Sequence, residues 1–262
     1  MKKIFSIIAV TFMIATANAQ VQIDRTKKPA SGPAPVITIK DPVIYKLTNG
    51  ITVLVVENHK LPKVNATFSI DAGPVTEGSK AGVMNIMGQM LSEGTKTKTK
   101  AQFDELIDGM GADLGLSSGG GNVSALSRYF KDAFMLMAEA LKQPAFPQES
   151  FDKIKSQSLT GLKASDKSVK AIAARATNAL MYGLDHPYGE FQTEQSVNSI
   201  TLADVQSAYK NYITPSRSYI TFIGDIKPEE AKALAEKAFG KWEGKKLELP
   251  KLAEVPNPAK TE

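Results

Sequence analysis

The chain has 262 residues, 42% of them hydrophobic and 23% charged, with 32 basic and 27 acidic side chains and a formal net charge of +5. That is the composition of a globular protein with room for one large domain or two small ones. So even a charge balance, with one Trp and no basic run interleaved with aromatics, argues against nucleic acid as a partner, and the absence of Cys excludes a disulfide framework, a thiolate metal ligand and a Cys nucleophile.

Residues 1–19 have the form of a signal peptide. Lys2 and Lys3 make a positive start, Ile4 to Ala15 are almost wholly apolar, and Ala17-Asn18-Ala19 is a small-residue cleavage site. The alternative is a buried N-terminal helix. The apolar run is shorter than the ~20 residues that span a bilayer, and no later run is longer, so no membrane span is expected. Cleavage would leave Gln20 as the new N-terminus of an exported chain, periplasmic or extracellular, and no Cys stands there to carry a lipid anchor. Residues 20–42, rich in Pro, Lys, Thr and Ser, read as a flexible leader.

Ordered structure is predicted from residue 43. In VIYKLTNGITVLVVENHK two β-rich runs flank Asn49-Gly50, a strong hairpin signal. VNATFSI, Val64 to Ile70, alternates as a third strand, and DAGPVTEGSK is a loop. Ala81 to Ser92 is apolar at helical spacing through Val83, Ile86, Met87, Met90 and Leu91. Lys100 to Met110 is a second helix with Gly111 as its stop. ADLGLSSGGGNVSALSRY reads as two strands around a glycine-rich centre.

Helices are predicted over Asp132 to Leu141, Gln148 to Leu162, Val169 to Tyr182 and Thr201 to Tyr212, the last with Thr201 as N-cap and Asp204 three residues on. RSYITFIGDI is a strand, and Pro228 to Phe239 a helix with Pro in its first turn. Runs of strands and runs of helices, without strict alternation, predict an α+β domain over residues 43–246 with a largely antiparallel sheet. Residues 247–262 read as a tail or linker.

This order and its punctuation resemble the pitrilysin/insulinase family of zinc peptidases, which includes the mitochondrial processing peptidases. LTNGITVLVVENHKLPKV is similar to the family's opening hairpin, and IDAGPVTEGSKAGVMNIMGQMLSEGTKTKT to its active-site strand, loop and helix. FDELIDGMGADLGLSS, LDHPYG and ITFIGDIKPEEAKALAEKAFGKWEG resemble its later landmarks. The resemblance implies one half unit of the family fold, with helices mainly on one face of the sheet. Family chains usually hold two such units, and paired chains close a chamber around an unfolded peptide.

Family members carry H-x-x-E-H on that helix. Two His one turn apart hold zinc, the Glu is general base, and a later Glu is the third ligand. Carried onto this sequence, the first His falls on Asn85, the Glu on Gly88 and the second His on Gln89, with the third ligand at Thr160 or Gly161. Amides are poor zinc ligands, and glycine has no side chain to act as base. The only histidines are His59 and His186, so no H-x-x-E-H exists in the sequence. No metal and no cofactor are expected.

The remaining polar features have modest expectations. Asn85 and Gln89 line a former cleft or hydrogen-bond a peptide through their amides. Gly88, costly by ~1 kcal/mol in mid-helix, points to close packing on another backbone. His59 reads as a solvated loop residue and His186 as a structural landmark. Leu116, Ser117, Ser118, Gly119 and Gly120 form either a peptide-binding sheet edge, as in active relatives, or a loose hairpin turn. No nucleophile–base pair marks an unrelated active site.

The resemblance therefore implies a catalytically inactive homologue. Its expected partners are an active zinc peptidase subunit of the same family, in a heterodimer, and unfolded peptides. A stand-alone peptide-binding protein using a sheet edge is the alternative.

Overall fold

The computed structural model describes residues 41–252, together with 32–33 and 254–255. The signal peptide assigned to residues 1–19, and all of the 20–42 leader but 32–33 and 41–42, lie outside the described residues.

Six strands form one sheet: β1 (Val43–Lys46), β2 (Thr52–Glu57), β3 (Lys63–Ile70), β4 (Asp113–Ser117), β5 (Gly120–Leu126) and β6 (Ser218–Gly224), in the order β1-β2-β6-β3-β5-β4. Every neighbouring pair is antiparallel except β2 and β6. Strand β3 explains the layering. Val64, Ala66, Phe68 and Ile70 are buried, and Lys63, Asn65, Thr67 and Ser69 are exposed, because successive side chains of a strand point to opposite faces. The helices cover the apolar face. Phe134 meets Phe222 and Phe68 stacks on Phe239, each pair with ring centroids 5.0 Å apart. Such contacts add ~0.5–1.5 kcal/mol each beyond the area they bury.

The helices are α1 (Val83–Met90), α2 (Lys100–Met110), α3 (Ser127–Lys142), α4 (Gln148–Ser165), α5 (Val169–Tyr182), α6 (Glu194–Ser199), α7 (Leu202–Tyr212) and α8 (Pro228–Phe239). The fold is α+β, as the sequence predicts. Capping fixes several boundaries. Thr99 and Gln102 form a capping box at α2, which ends at Gly111 with φ of 56°; Thr201 and Asp204 do the same at α7. Asn49 of the β1–β2 turn donates from Nδ2 to the Phe239 carbonyl at 2.7 Å, tying that turn to the end of α8.

Three details differ from expectation. Helix α3 begins at Ser127, not Asp132, because its buried stripe already starts at Phe130; the residues Ser127 to Tyr129 belong to it and not to the preceding strand. Helix α4 continues to Ser165. Helix α6 has no apolar period to betray it and is held by a capping box of Thr193 and Ser196. Beyond residue 246, Leu247 is buried and its N–H donates to Ser216 Oγ at 3.1 Å, so the packed unit includes it.

Candidate functional site

Helix α1 occupies the place where the family resemblance puts zinc chemistry. Its start is built by a carboxylate. Glu77 Oε2 accepts from the N–H groups of Gly82 and Met84, each at 2.9 Å, satisfying donors that a helix N-terminus leaves open. Burial pushes the Glu77 carboxyl above its usual range, partly offset by these hydrogen bonds. Val83, Ile86, Met87 and Met90 are buried in the core, and they, not the polar residues, hold α1 in place.

Asn85 and Gln89 stand on the exposed side of α1 and satisfy each other: Gln89 Nε2 donates to Asn85 Oδ1 at 2.5 Å. Gly88 is buried. A Cβ added there would lie 2.6 Å from the Ser118 backbone nitrogen and 3.2 Å from Ser117 Cα. The β4–β5 turn therefore rests directly on α1, and the space a catalytic side chain would leave through is filled by main chain. Thr160 and Gly161 are exposed on α4, where Thr160 Oγ1 donates back to the Ser156 carbonyl at 3.0 Å. An amide pair, a glycine and a back-bonded hydroxyl do not form a zinc donor set. Among the described residues, no three His, Cys, Asp or Glu side chains converge as metal ligands.

The glycine-rich segment divides between two strands. Leu116 and Ser117 lie on β4, which ends the sheet and pairs only with β5 among the described residues. Ser118 and Gly119 form the turn. Gly120 was expected at the edge, but it belongs to β5, one strand inward, paired with Ser117 on one side and Ser69 on the other. Its φ is +131°, and a Cβ would fall 2.0 Å from the Phe68 carbonyl oxygen. Gly119 lies in the turn, whereas Gly120 lets β5 pair closely with β3.

Beside the turn lies a cavity of about 480 Å³, whose lining includes Glu77, Met84, Ser118, Gly119, Glu190 and Tyr212. Glu190 holds the chain entering α1, its two oxygens accepting from Glu77 N–H at 2.7 Å and Gly78 N–H at 2.5 Å. Burial, and then the Glu77 charge, raise the Tyr212 hydroxyl. Glu190 had no signal in the sequence, since the backbone it caps is reached only through the fold, whereas Glu77 caps donors of its own loop and helix start.

His186 is buried. Its Nδ1 accepts from the Tyr188 N–H at 3.1 Å and its ring stacks on Tyr182 at 5.4 Å. That is a packing role. His59 is exposed between two carboxylates, with Nε2 2.6 Å from Glu57 and Nδ1 2.5 Å from Asp225. Asp225 also accepts from Ser127 Oγ at 2.6 Å. Ser127 thus bonds the carboxylate and not the imidazole, so the Ser, His and Asp here lack the nucleophile–base contact of a triad. The hydrogen bonds from Asp225 and then Glu57 raise the His59 pKa.

That shift sets a pH dependence. A raised folded pKa means that His59 contributes stability below its unfolded pKa, ~6.5, and loses it as pH rises through the folded value. Denaturant midpoints are expected to fall slightly from pH 6 toward pH 8, and His59→Ala should remove that component. The effect is small because the pair is solvated. An unchanged pH profile in the variant would contradict it.

Comparison with known proteins gives the family. The family model described as Insulinase (Peptidase family M16) matches residues 52–187, and the model described as Peptidase M16 inactive domain matches residues 199–262. The mitochondrial-processing peptidase subunit beta of Blastocladiella emersonii is 24% identical over 239 residues, covering 86% of this chain and 50% of that protein. The non-peptidase homolog YmxG of Helicobacter pylori is 23% identical over 199 residues, covering 73% of this chain and 43% of its own length. The chain thus spans about half the length of these curated relatives.

Among solved structures, a peptidase M16 inactive domain from Pseudomonas fluorescens superposes with a TM-score of 0.72 at 25% identity, over 84% of this chain and 54% of that one. No helix among the described residues is long and apolar enough to cross a membrane. With the Insulinase model matching more than half of its length, the chain belongs to the insulinase family of peptidases, M16, as a member whose sequence lacks H-x-x-E-H.

Proposed function

We propose that this chain is an exported, non-catalytic subunit that pairs with a zinc-bearing subunit of its family and helps enclose an unfolded peptide. The observation that carries the reading is the packing of Gly88 under Ser117 and Ser118. It closes the catalytic position with main chain while keeping α1, its apolar face and the neighbouring edge strand. A chain that retains the scaffold and fills the reaction site acts through shape and partnership. Its relatives' descriptions, one a peptidase subunit and one a non-peptidase homologue, support that assignment, and the form of residues 1–19 supports export to the periplasm or outside the cell.

Co-expression with an H-x-x-E-H subunit encoded nearby tests it. The two chains should co-purify, and peptidase activity should need the mixture. Full activity of the partner alone, unchanged on adding this chain, would sink the proposal.

A second reading rests on the unpaired side of β4. An extended peptide could add there as a further strand without any enzyme, using main-chain hydrogen bonds. In a two-residue hairpin the residues flanking the turn bond each other, which directs the main chain of Leu116 outward. The isolated chain would then bind an extended peptide, and N-methylating alternate peptide amides would abolish binding. Equal binding of the methylated peptide would rule out edge pairing.

A further inference from the structure

Helix α5 has no buried residue along its 14 positions. Ala171, Arg175, Ala179 and Tyr182 are partly covered, and Arg175 is engaged with Asp166 at 2.7 Å. The opposite side carries Val169, Ile172, Ala173, Ala176 and Leu180, all exposed. Val169 is 81% and Leu180 87% exposed. Positions i, i+3, i+4, i+7 and i+11 lie along one stripe of an α-helix, the pattern by which a helix normally faces a core. Here it faces solvent. A helix of this length is marginal without packing, so an uncovered apolar stripe along its outer side points to a partner.

Size and charge together identify the partner. The stripe runs large, small, large: Val169 and Ile172 at one end, Ala173 and Ala176 in the middle, Leu180 at the other. Laid antiparallel on a second copy, it sets Val169 against Leu180 and Ala173 against Ala176. The small residues then lie where the two backbones approach most closely, as ridges-into-grooves packing requires. Exposed Lys163, Lys167 and Lys170 gather at the N-terminal end of α5, and exposed Asp185 lies just past its C-terminal end.

Antiparallel pairing brings these lysines to Asp185 and to the negative end of the partner's helix dipole. Parallel pairing would set lysine against lysine. Among the described residues the flank of α5 bears one cation without a salt bridge, Lys170, beside Ala174, Thr177, Asn178 and exposed Met181, which is too little charge along the helix for one seated on an anionic lipid surface. We propose that α5 pairs antiparallel with α5 of a second copy of this chain, forming a symmetric dimer across Val169, Ala173, Ala176 and Leu180. The proposal does not depend on the heteromeric pairing above.

Sedimentation equilibrium of the full chain tests it. The chain should dimerise, and Leu180→Glu should raise the dissociation constant by about tenfold or more, equivalent to ~1.4 kcal/mol. Lys167→Glu should weaken the dimer, and adding Asp185→Lys to it should restore the affinity, as only a reciprocal contact between copies predicts. Because the chain has no Cys, oxidising a mixture of Ala173→Cys and Ala176→Cys chains should link one to the other, while Ala174→Cys on the flank stays unlinked. A monomer at about 100 µM, where even weak specific dimers populate, overturns the proposal. So does a dimer indifferent to Leu180→Glu, or co-sedimentation with phosphatidylglycerol vesicles that Leu180→Glu abolishes.

Discussion

Gly120→Ala should destabilise the chain by about 4 kcal/mol, a large share of a typical domain's total stability. Two costs combine. The backbone at +131° in φ is one that a residue with a side chain rarely adopts, and holding it costs ~1–3 kcal/mol. The new Cβ would also stand 2.0 Å from the Phe68 carbonyl oxygen, a main-chain atom fixed in the β3 ladder. Relief requires β5 to move away from β3, which adds ~1–3 kcal/mol of overpacking.

Gly119 is the internal control. Its added Cβ would meet nothing nearer than Ser117 Oγ at 3.8 Å, so Gly119→Ala should stay within ~0.5 kcal/mol of the parent. Urea denaturation of the two variants reads the difference. A loss at Gly120 below ~1 kcal/mol would show that the β3–β5 pairing is looser than its geometry. The contrast also decides how peptide binding at the edge can be examined. Substituting Gly120 breaks the sheet, so loss of binding in such a variant would say nothing about recognition.

The legibility of this fold varied with the kind of interaction that fixes each element. Elements set locally were readable. The extents of α2, α5 and α8, the capping box at Thr201 and the alternation of β3 are all set within a few residues of sequence. Gly88 was readable as a glycine needing a close neighbour, but not which one. That Ser117 and Ser118 are the neighbours follows only from the sheet bringing the β4–β5 turn onto α1.

Contacts of long sequence separation left no trace. Glu190 looks like a surface charge until the loop before α1 folds against the His186 loop and it becomes the acceptor for the Glu77 and Gly78 N–H groups. Gly119 and Gly120 are identical neighbours in the sequence, yet one sits in open space and the other under a carbonyl. The amide pair Asn85 and Gln89 was legible as chemistry, since one helical turn separates them, and the fold closes them on each other. The zinc motif is absent from the sequence itself, whereas the filling of its site could be learned only from the packing.

Gly88→Ala shows how deep that filling goes. On helix propensity alone the change should stabilise α1 by ~1 kcal/mol. The geometry reverses the sign, because the methyl would lie 2.6 Å from a backbone nitrogen of the β4–β5 turn, and overpacking of that kind costs ~1–3 kcal/mol. A net loss of up to about 2 kcal/mol is expected, against a gain of up to ~1 kcal/mol for Gly161→Ala, the same change on an exposed stretch of α4 where nothing lies within 4 Å. Opposite shifts in denaturant midpoint for two mid-helix glycines would place the cause in the turn above Gly88.

The larger Gly88→Glu must expel the turn altogether. Restoring the family motif by Asn85→His, Gly88→Glu and Gln89→His should therefore yield a less stable chain, without tight stoichiometric zinc and without peptidase activity. Thr160 and Gly161 still offer no third carboxylate, and the base has no room. A triple variant as stable as the parent that bound zinc and cleaved peptide would mean the cleft is only vacant. Loss of stability in that variant beyond the loss from Gly88→Ala would mean that the site has been rebuilt around the absence of a side chain, so that recovering catalysis requires moving β4 as well as restoring all three ligands.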